Sequence, residues 1–217
     1  MSFPANGIPG IDISHYQGVV DWAALKASSG EQFVYAKATE GTSIVDPYFH
    51  DNWAGIKSAG LFRGAYHFFH PDQDAFAQAA FFIERLTIAN GSILHCPGDL
   101  PAALDLETTG GCSPDVILSG VTKWLEMVGL ATGRRPLLYT YTSFWRDTLH
   151  NPTELSNYPL WIAQYSASAP AKIGGWSDYT IWQFGQAPVA GISVKTDVNS
   201  FNGTSDQLRH LAGFILG

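Results

Sequence analysis

Charge is scarce in this sequence of 217 residues: only 14% are Asp, Glu, Lys or Arg, and acidic residues outnumber basic ones by 19 to 12. A formal net charge of −7 with no basic run leaves little to displace counterions from a phosphate backbone, which argues against a nucleic-acid partner. Long hydrophobic runs are missing too. The longest apolar stretches, such as Phe81-Phe82-Ile83 and Ala212 to Leu216, fall far below the ~20 residues that cross a bilayer, so no membrane insertion is expected. Cysteine is limited to Cys96 and Cys112, whose spacing suits no metal site. They flank a predicted strand, and a bridge would need both loops to fold back across it. No His-x-x-x-His or Cys-x-x-Cys constellation, no Gly-x-Ser-x-Gly elbow and no glycine-rich phosphate loop occurs, and neither metal nor cofactor is expected. The opening Met1-Ser2-Phe3-Pro4-Ala5-Asn6-Gly7 carries no basic and apolar segments of a standard secretory signal. No linker, composition break or repeat divides the chain, so residues 1–217 are expected to form one domain.

What is present is a rhythm. Hydrophobic residues make up 46%, and short runs rich in β-branched and aromatic residues alternate with helix-length segments. Strands are predicted at Gly10–Ile13, Phe33–Ala38, Gly64–Phe69, Ala102–Leu106, Leu137–Tyr141, Leu160–Ala163, Thr180–Phe184 and Val194–Val198. Helices are predicted at Asp21–Ser28, Pro47–Ala59 before Gly60, Asp74–Ile88, Ser113–Leu130 and Ser205–Leu216. Ser113-Pro114 is a strong helix start, with serine as cap and proline at the first helical position. Eight strands with interleaved helices predict an α/β fold, a TIM-like β/α barrel. The segment Tyr165 to Tyr179 is rich in Ala, Gly, Ser and Pro, so the second half should be degraded. Its late strands are joined by loops, and some of them run antiparallel.

Acidic residues at predicted strand ends carry the chemical signal. Asp105 and Glu107 stand at i and i+2 and therefore share a face of one strand. Asp12 ends the first predicted strand and Asp197 ends the last, and those two strands become neighbours when a barrel closes. Four carboxylates then meet at the C-terminal mouth, where barrels keep their chemistry. Crowded like charges resist joint ionisation, so at least one stays protonated near neutrality. Glycoside cleavage needs one protonated carboxyl and one negative one. Taken singly, each acid would serve equally as a helix cap or a solubilising loop residue.

Rings are the second signal, with 7 Trp, 9 Tyr and 13 Phe. Tyr66, Tyr139, Tyr141, Trp161, Tyr165 and Trp182 lie on or near predicted strands, where they suit either stacking on sugars or core packing. His67 and His70, three apart on a strand, point to opposite faces and share no metal. Lys37 is positioned to pair with the acids, to bind substrate or to form a structural ion pair.

Seven blocks then follow one another in register. They are Gly10-Ile11-Asp12-Ile13-Ser14 with Gln17-Gly18 and Asp21-Trp22; Phe33-Val34-Tyr35-Ala36-Lys37-Ala38-Thr39-Glu40-Gly41; Gly64-Ala65-Tyr66-His67-Phe68; Leu104-Asp105-Leu106-Glu107; Pro159-Leu160-Trp161-Ile162-Ala163; Ile181-Trp182-Gln183; and Asp197-Val198-Asn199. Together, over residues 10 to 199, the chain resembles the Chalaropsis-type lysozymes of glycoside hydrolase family 25. One departure is Ala36, where the family commonly has a larger apolar residue, a matter of packing. The resemblance implies a (β/α)5(β)3 barrel and an N-acetylmuramidase that cuts the β-1,4 bond between N-acetylmuramic acid and N-acetylglucosamine in peptidoglycan. Its partner is thus a glycan strand of the cell wall, met as a monomer outside the cytoplasm, in an extracellular or periplasmic setting. The resemblance assigns Glu107 as general acid, Asp105 as the group that orients a substrate acetamido or supports the positive centre, and Asp12 and Asp197 as further acids of the site. Tyr66, Trp161 and Gln183, with Lys37 and Tyr139, are assigned substrate contact. Two rivals are a catalytically silent carbohydrate-binding domain and a chitinase-like hydrolase. The latter's D-x-x-D-x-D-x-E run is interrupted here by Leu100 and Ala103.

Overall fold

A computed structural model describes residues 7–28, 30–93, 96–166 and 168–215. Alternation along the strands builds it, relaxed by register shifts at Lys37/Thr39 and Gln183/Gly185. In β1 (Ile8–Ile13) and β2 (Phe33–Glu40), Gly10, Asp12, Phe33, Tyr35 and Lys37 face one side, while Ile11, Ile13, Val34, Ala36 and Ala38 face the other. A two-residue strand, β3 (Ile44–Val45), folds back antiparallel on the end of β2 and stays outside the barrel. The same alternation continues through β4 (Phe62–Phe68), β5 (Ala103–Asp105), β6 (Leu137–Tyr141), β7 (Leu160–Ala163), β8 (Ile181–Pro188) and β9 (Lys195–Phe201). β1 pairs with both β2 and β9, which closes eight strands into a barrel.

Two cores follow from the two faces. Inside the barrel lie Phe33, Tyr35, Ala103, Leu137, Tyr139, Trp161, Ile181 and Phe201. Outside it, Val34, Ala36, Leu104, Leu138 and Ile162 pack against the helices. Glycines make room for the inner rings. A Cβ on Gly10 would sit 2.4 Å from the Phe33 ring, and one on Gly64 only 2.2 Å from that of Tyr35.

Four helices connect the first five barrel strands: α1 (Trp22–Ser28), α2 (Phe49–Ser58), α3 (Ala75–Asn90) and α4 (Pro114–Thr132). Asp74 caps α3 by accepting from the Ala77 N–H at 2.7 Å. α3 and α4 stop at Gly91 and Gly133, whose φ values of 73° and 67° only glycine adopts freely. α4 buries Ile117, Val121, Trp124, Leu125 and Val128. After β6 the connections shrink to a π-helical turn at Phe144–Thr148 and then to loops. The last helix, α5 (Ser205–Leu211), is shorter than the predicted Ser205–Leu216: Ala212 caps it, and Gly213 turns away at a φ of 83°. The last residue of that prediction, Leu216, lies outside the described residues.

The antiparallel late strand expected from the sequence is β9. β8 runs parallel to β7, but β9 is antiparallel to both β8 and β1. Asp197 therefore stands near the start of its strand and not at the end. It still reaches the same mouth, because an antiparallel strand presents its N-terminal end there. Cys96, exposed, and Cys112, half-buried, carry free thiols. Among the described residues no helix is long and apolar enough to cross a membrane.

Candidate active site

The inward faces of the barrel change character as they rise. Below are rings; above are acids and amides. Trp161 packs 4.7 Å from Tyr35 and 4.9 Å from Tyr139, with Tyr66 edge-on at 6.4 Å. Such pairs contribute about 0.5–1.5 kcal/mol each beyond area burial, and they make a rigid floor. On that floor Asp12, Asp105, Glu107 and Asp197 line a single cavity of about 600 Å³, together with Lys37, Tyr66, Tyr139, Trp161 and Gln183. The nine residues assigned to the site from the sequence are thus in one place, whereas Tyr141 and Tyr165 line the neighbouring hollow and Trp182 packs in the outer core.

Asp105 is the last residue of β5, yet the ladder runs one step further: the Leu106 N–H donates to the Tyr139 carbonyl at 3.0 Å. That extension keeps the backbone straight and carries Glu107 to the face Asp105 occupies. Glu107 also lines a second cavity of about 510 Å³, shared with Tyr139, Tyr141, Thr142, Arg146, Gln164, Tyr165 and Gln183. It therefore stands at the junction of two adjoining hollows.

Asp12 is held from below by two amides. Gln183 donates its Nε2–H to Asp12 Oδ2 at 2.9 Å, and Asn199 donates its Nδ2–H to the same oxygen at 2.7 Å. Each amide is locked by a ring. The Trp161 indole, which can only donate, gives its N–H to Asn199 Oδ1 at 2.8 Å, and the Tyr139 hydroxyl donates to Gln183 Oε1 at 3.1 Å. The polar ends of Trp161, Tyr139 and Gln183 are thus engaged within the protein, and all three are buried.

Electrostatics divides the acids. Burial, then the charge of Asp197, lifts the Asp12 carboxyl to about 8 against the pull of its two amide bonds. Burial first, then Glu107, pushes Asp105 well above the usual carboxylate range. Glu107 is raised by burial and by the charge of Asp197, while a hydrogen bond from Asp105 and the Lys37 ammonium act against this. Two such neighbouring carboxyls, buried together, favour one proton on the pair over two charges. Lys37 takes the structural option: its Nζ donates to Glu40 Oε2 at 2.6 Å while it lies over the Phe68 ring. Glu40 also receives His70 Nε2 at 3.0 Å. Burial raises the Glu40 carboxyl, but the bonds from Lys37 and His70 outweigh it and leave the group low. His67, by contrast, is sealed behind the sheet, stacked on Trp124 at 5.5 Å, where burial lowers it to about 3.

Three participants escaped the sequence reading. Asn199 belongs to the quoted Asp197-Val198-Asn199 block and shares a strand face with Asp197, so its signal was in plain view. Glu40 sits in the block around Lys37. Tyr165 stood out only as a ring; its hydroxyl donates to Asp197 Oδ1 at 2.6 Å.

The family model "Glycosyl hydrolases family 25" matches residues 11–191. An N,O-diacetylmuramidase of Chalaropsis sp is 38% identical over 218 residues, covering 94% of this chain and 99% of its own length. Lysozyme M1 of Streptomyces globisporus is 33% identical over 216 residues, covering 95% and 72%. The crystal structure of a bacterial lysozyme from Streptomyces coelicolor superposes with a TM-score of 0.88 at 31% identity, over 96% of this chain and 98% of that one.

Proposed function

The chain belongs to glycosyl hydrolase family 25, and we propose that its cleft is that of an N-acetylmuramidase acting on peptidoglycan. One observation carries the reading: carboxylates from the first, middle and last barrel strands line one cavity, and Glu107 stands where it meets a second. Sugars bound in the two hollows would bring the linking oxygen to Glu107.

The chemistry follows from the proton held by the Asp105–Glu107 pair. Glu107, the less enclosed member, delivers it to the glycosidic oxygen as that bond breaks. The transfer leaves Asp105 negative. Its carboxylate then accepts the N–H of the substrate's 2-acetamido group and turns the acetamido oxygen toward the electron-poor anomeric carbon. Water, deprotonated by Glu107 in reverse, opens the resulting ring. Two displacements at one carbon retain its configuration. Asp197 supplies negative potential beneath the positive centre, and the protonated Asp12 beside it leaves that charge uncrowded. Tyr66 and Lys37 contact the sugar from the wall, and Tyr139, Trp161 and Gln183 contact it from the floor.

Several finer points belong to the same reading. The π-helical turn after β6 stands for the fifth helix of a (β/α)5(β)3 barrel. Residues 1–217 form one catalytic domain that works as a monomer on the wall, in an extracellular or periplasmic space. Incubation with purified cell walls beside chitin oligomers tests the substrate: clearing of walls with chitin untouched is the expected result, and the converse would overturn it.

A further inference from the structure

Tyr165 lies two residues beyond β7, at the start of a long loop, with about half its surface exposed at 52%. Its base is pinned. The Gln164 N–H donates to the Gln183 carbonyl at 3.1 Å, and the Trp182 indole donates to the Gln164 carbonyl at 2.8 Å. From there the ring lines the second cavity, and its hydroxyl crosses to Asp197, which lines the first. No other side chain is hydrogen-bonded to Asp197 among the described residues.

The groups around Asp197 make that bond consequential. Asp12 faces it from β1 as its direct register partner, and Glu107 feels its charge from beyond β5. Gln186 opposes it from β8, and Lys195 shares its cavity wall. The charge of Asp197 raises the carboxyls of both Asp12 and Glu107. Where the Asp197 carboxylate points therefore decides how strongly it acts on each of them. A phenol hydroxyl at 2.6 Å is in the range of charge-assisted O–H···O⁻ bonds.

We propose that Tyr165 is a positioning residue for glycoside cleavage, whose hydroxyl holds the Asp197 carboxylate aimed between Asp12 and Glu107. This rests on the hydrolase reading above. The hydroxyl does the holding and the ring packs, so Tyr165→Phe separates the two.

The test combines two readouts on the intact chain. Carbon-13 NMR of labelled aspartate carboxyls follows the Asp12 protonation directly, with Asp12→Asn identifying its signal. Steady-state kinetics on peptidoglycan follows turnover. In Tyr165→Phe the loosened Asp197 carboxylate should act less on Asp12, so the Asp12 midpoint should fall by about one pH unit from its value of about 8. Turnover, kcat, should fall about 10-fold with KM changed less than about twofold. An Asp12 midpoint and a kcat equal to the wild type's would overturn the proposal. A wild type that turns over no glycan would instead overturn the hydrolase reading, and the NMR midpoint keeps the two failures apart.

Discussion

Asp12 and Asp197 are direct register partners on the antiparallel strands β1 and β9, one near each end of the chain. Two acids facing each other across a backbone ladder repel, and here one is almost fully buried. Burial and that repulsion together lift Asp12 to about 8. The pairing joins the ends of the barrel at the place where the folded state holds a proton that the unfolded chain would release.

Asp12→Asn should therefore stabilise the fold in a pH-dependent way. Asp12 has a folded value of about 8 against an ordinary 3.8. The stabilisation from its bound proton is complete below pH ~4 and is lost as pH rises through ~8. Asparagine imitates the protonated form throughout. Melting temperatures of variant and wild type should coincide near pH 4 and diverge to at least ~3 °C in favour of the variant by pH 8, with activity reduced. A gap independent of pH would contradict the assignment.

Asn199→Ala should be costly although Asn199 bears no charge. It strips one donor from Asp12 and leaves the buried Trp161 indole N–H without its acceptor. An orphaned buried donor costs about 1–3 kcal/mol, readable by urea unfolding, and turnover should drop about 10-fold as Asp12 loosens. Asn199→Asp keeps an acceptor for Trp161 but sets a negative charge against Asp12, so it should fold better than the alanine variant and work worse. Equal activity in the two would remove Asn199 from its positioning role.

Gly64→Ala tests the ring floor. The new methyl would meet the fully buried Tyr35 ring at 2.2 Å, and overpacking of this kind costs about 1–3 kcal/mol. Thermal unfolding should record the loss. Adding Tyr35→Leu should return part of it, whereas a double variant with simply additive losses would mean the ring is not what the methyl strikes.

Much of this was legible before any coordinates. Asp105 and Glu107 obey a parity rule that needs only two residues of extended chain, and the ladder bond from Leu106 extends the strand far enough to satisfy it. Asp12 could be located because β1 is short and opens the fold. Asp197 reached the expected mouth for a different reason, because parallel and antiparallel strands of five residues look alike in sequence and only pairing partners set direction. Ile44-Val45 is too short to show a period, so β3 was invisible. The role of Asn199 is not legible in its own block, since it comes from the ring and the carboxylate on either side of it, and those lie on β7 and β1. Tyr165 was hidden for a similar reason: a loop ring's hydroxyl partner is a matter of three-dimensional position alone.

Stereochemistry offers a check on how Asp105 and the acetamido group cooperate. Proton NMR of the newly formed reducing end, recorded within the first turnovers, should show the β-anomer before mutarotation. An α-anomer as first product would mean a single displacement by water and would leave Asp105 without its orienting part.

The most direct measurement is mass spectrometry of borohydride-reduced fragments from purified peptidoglycan, digested by the wild type and by Glu107→Gln. The wild type should generate new muramic acid reducing ends. The variant, melting within ~2 °C of it, should generate them about 10²–10⁴-fold more slowly. New glucosamine reducing ends from the wild type, or a variant cutting at nearly the wild-type rate, would contradict an N-acetylmuramidase driven by the Asp105–Glu107 proton.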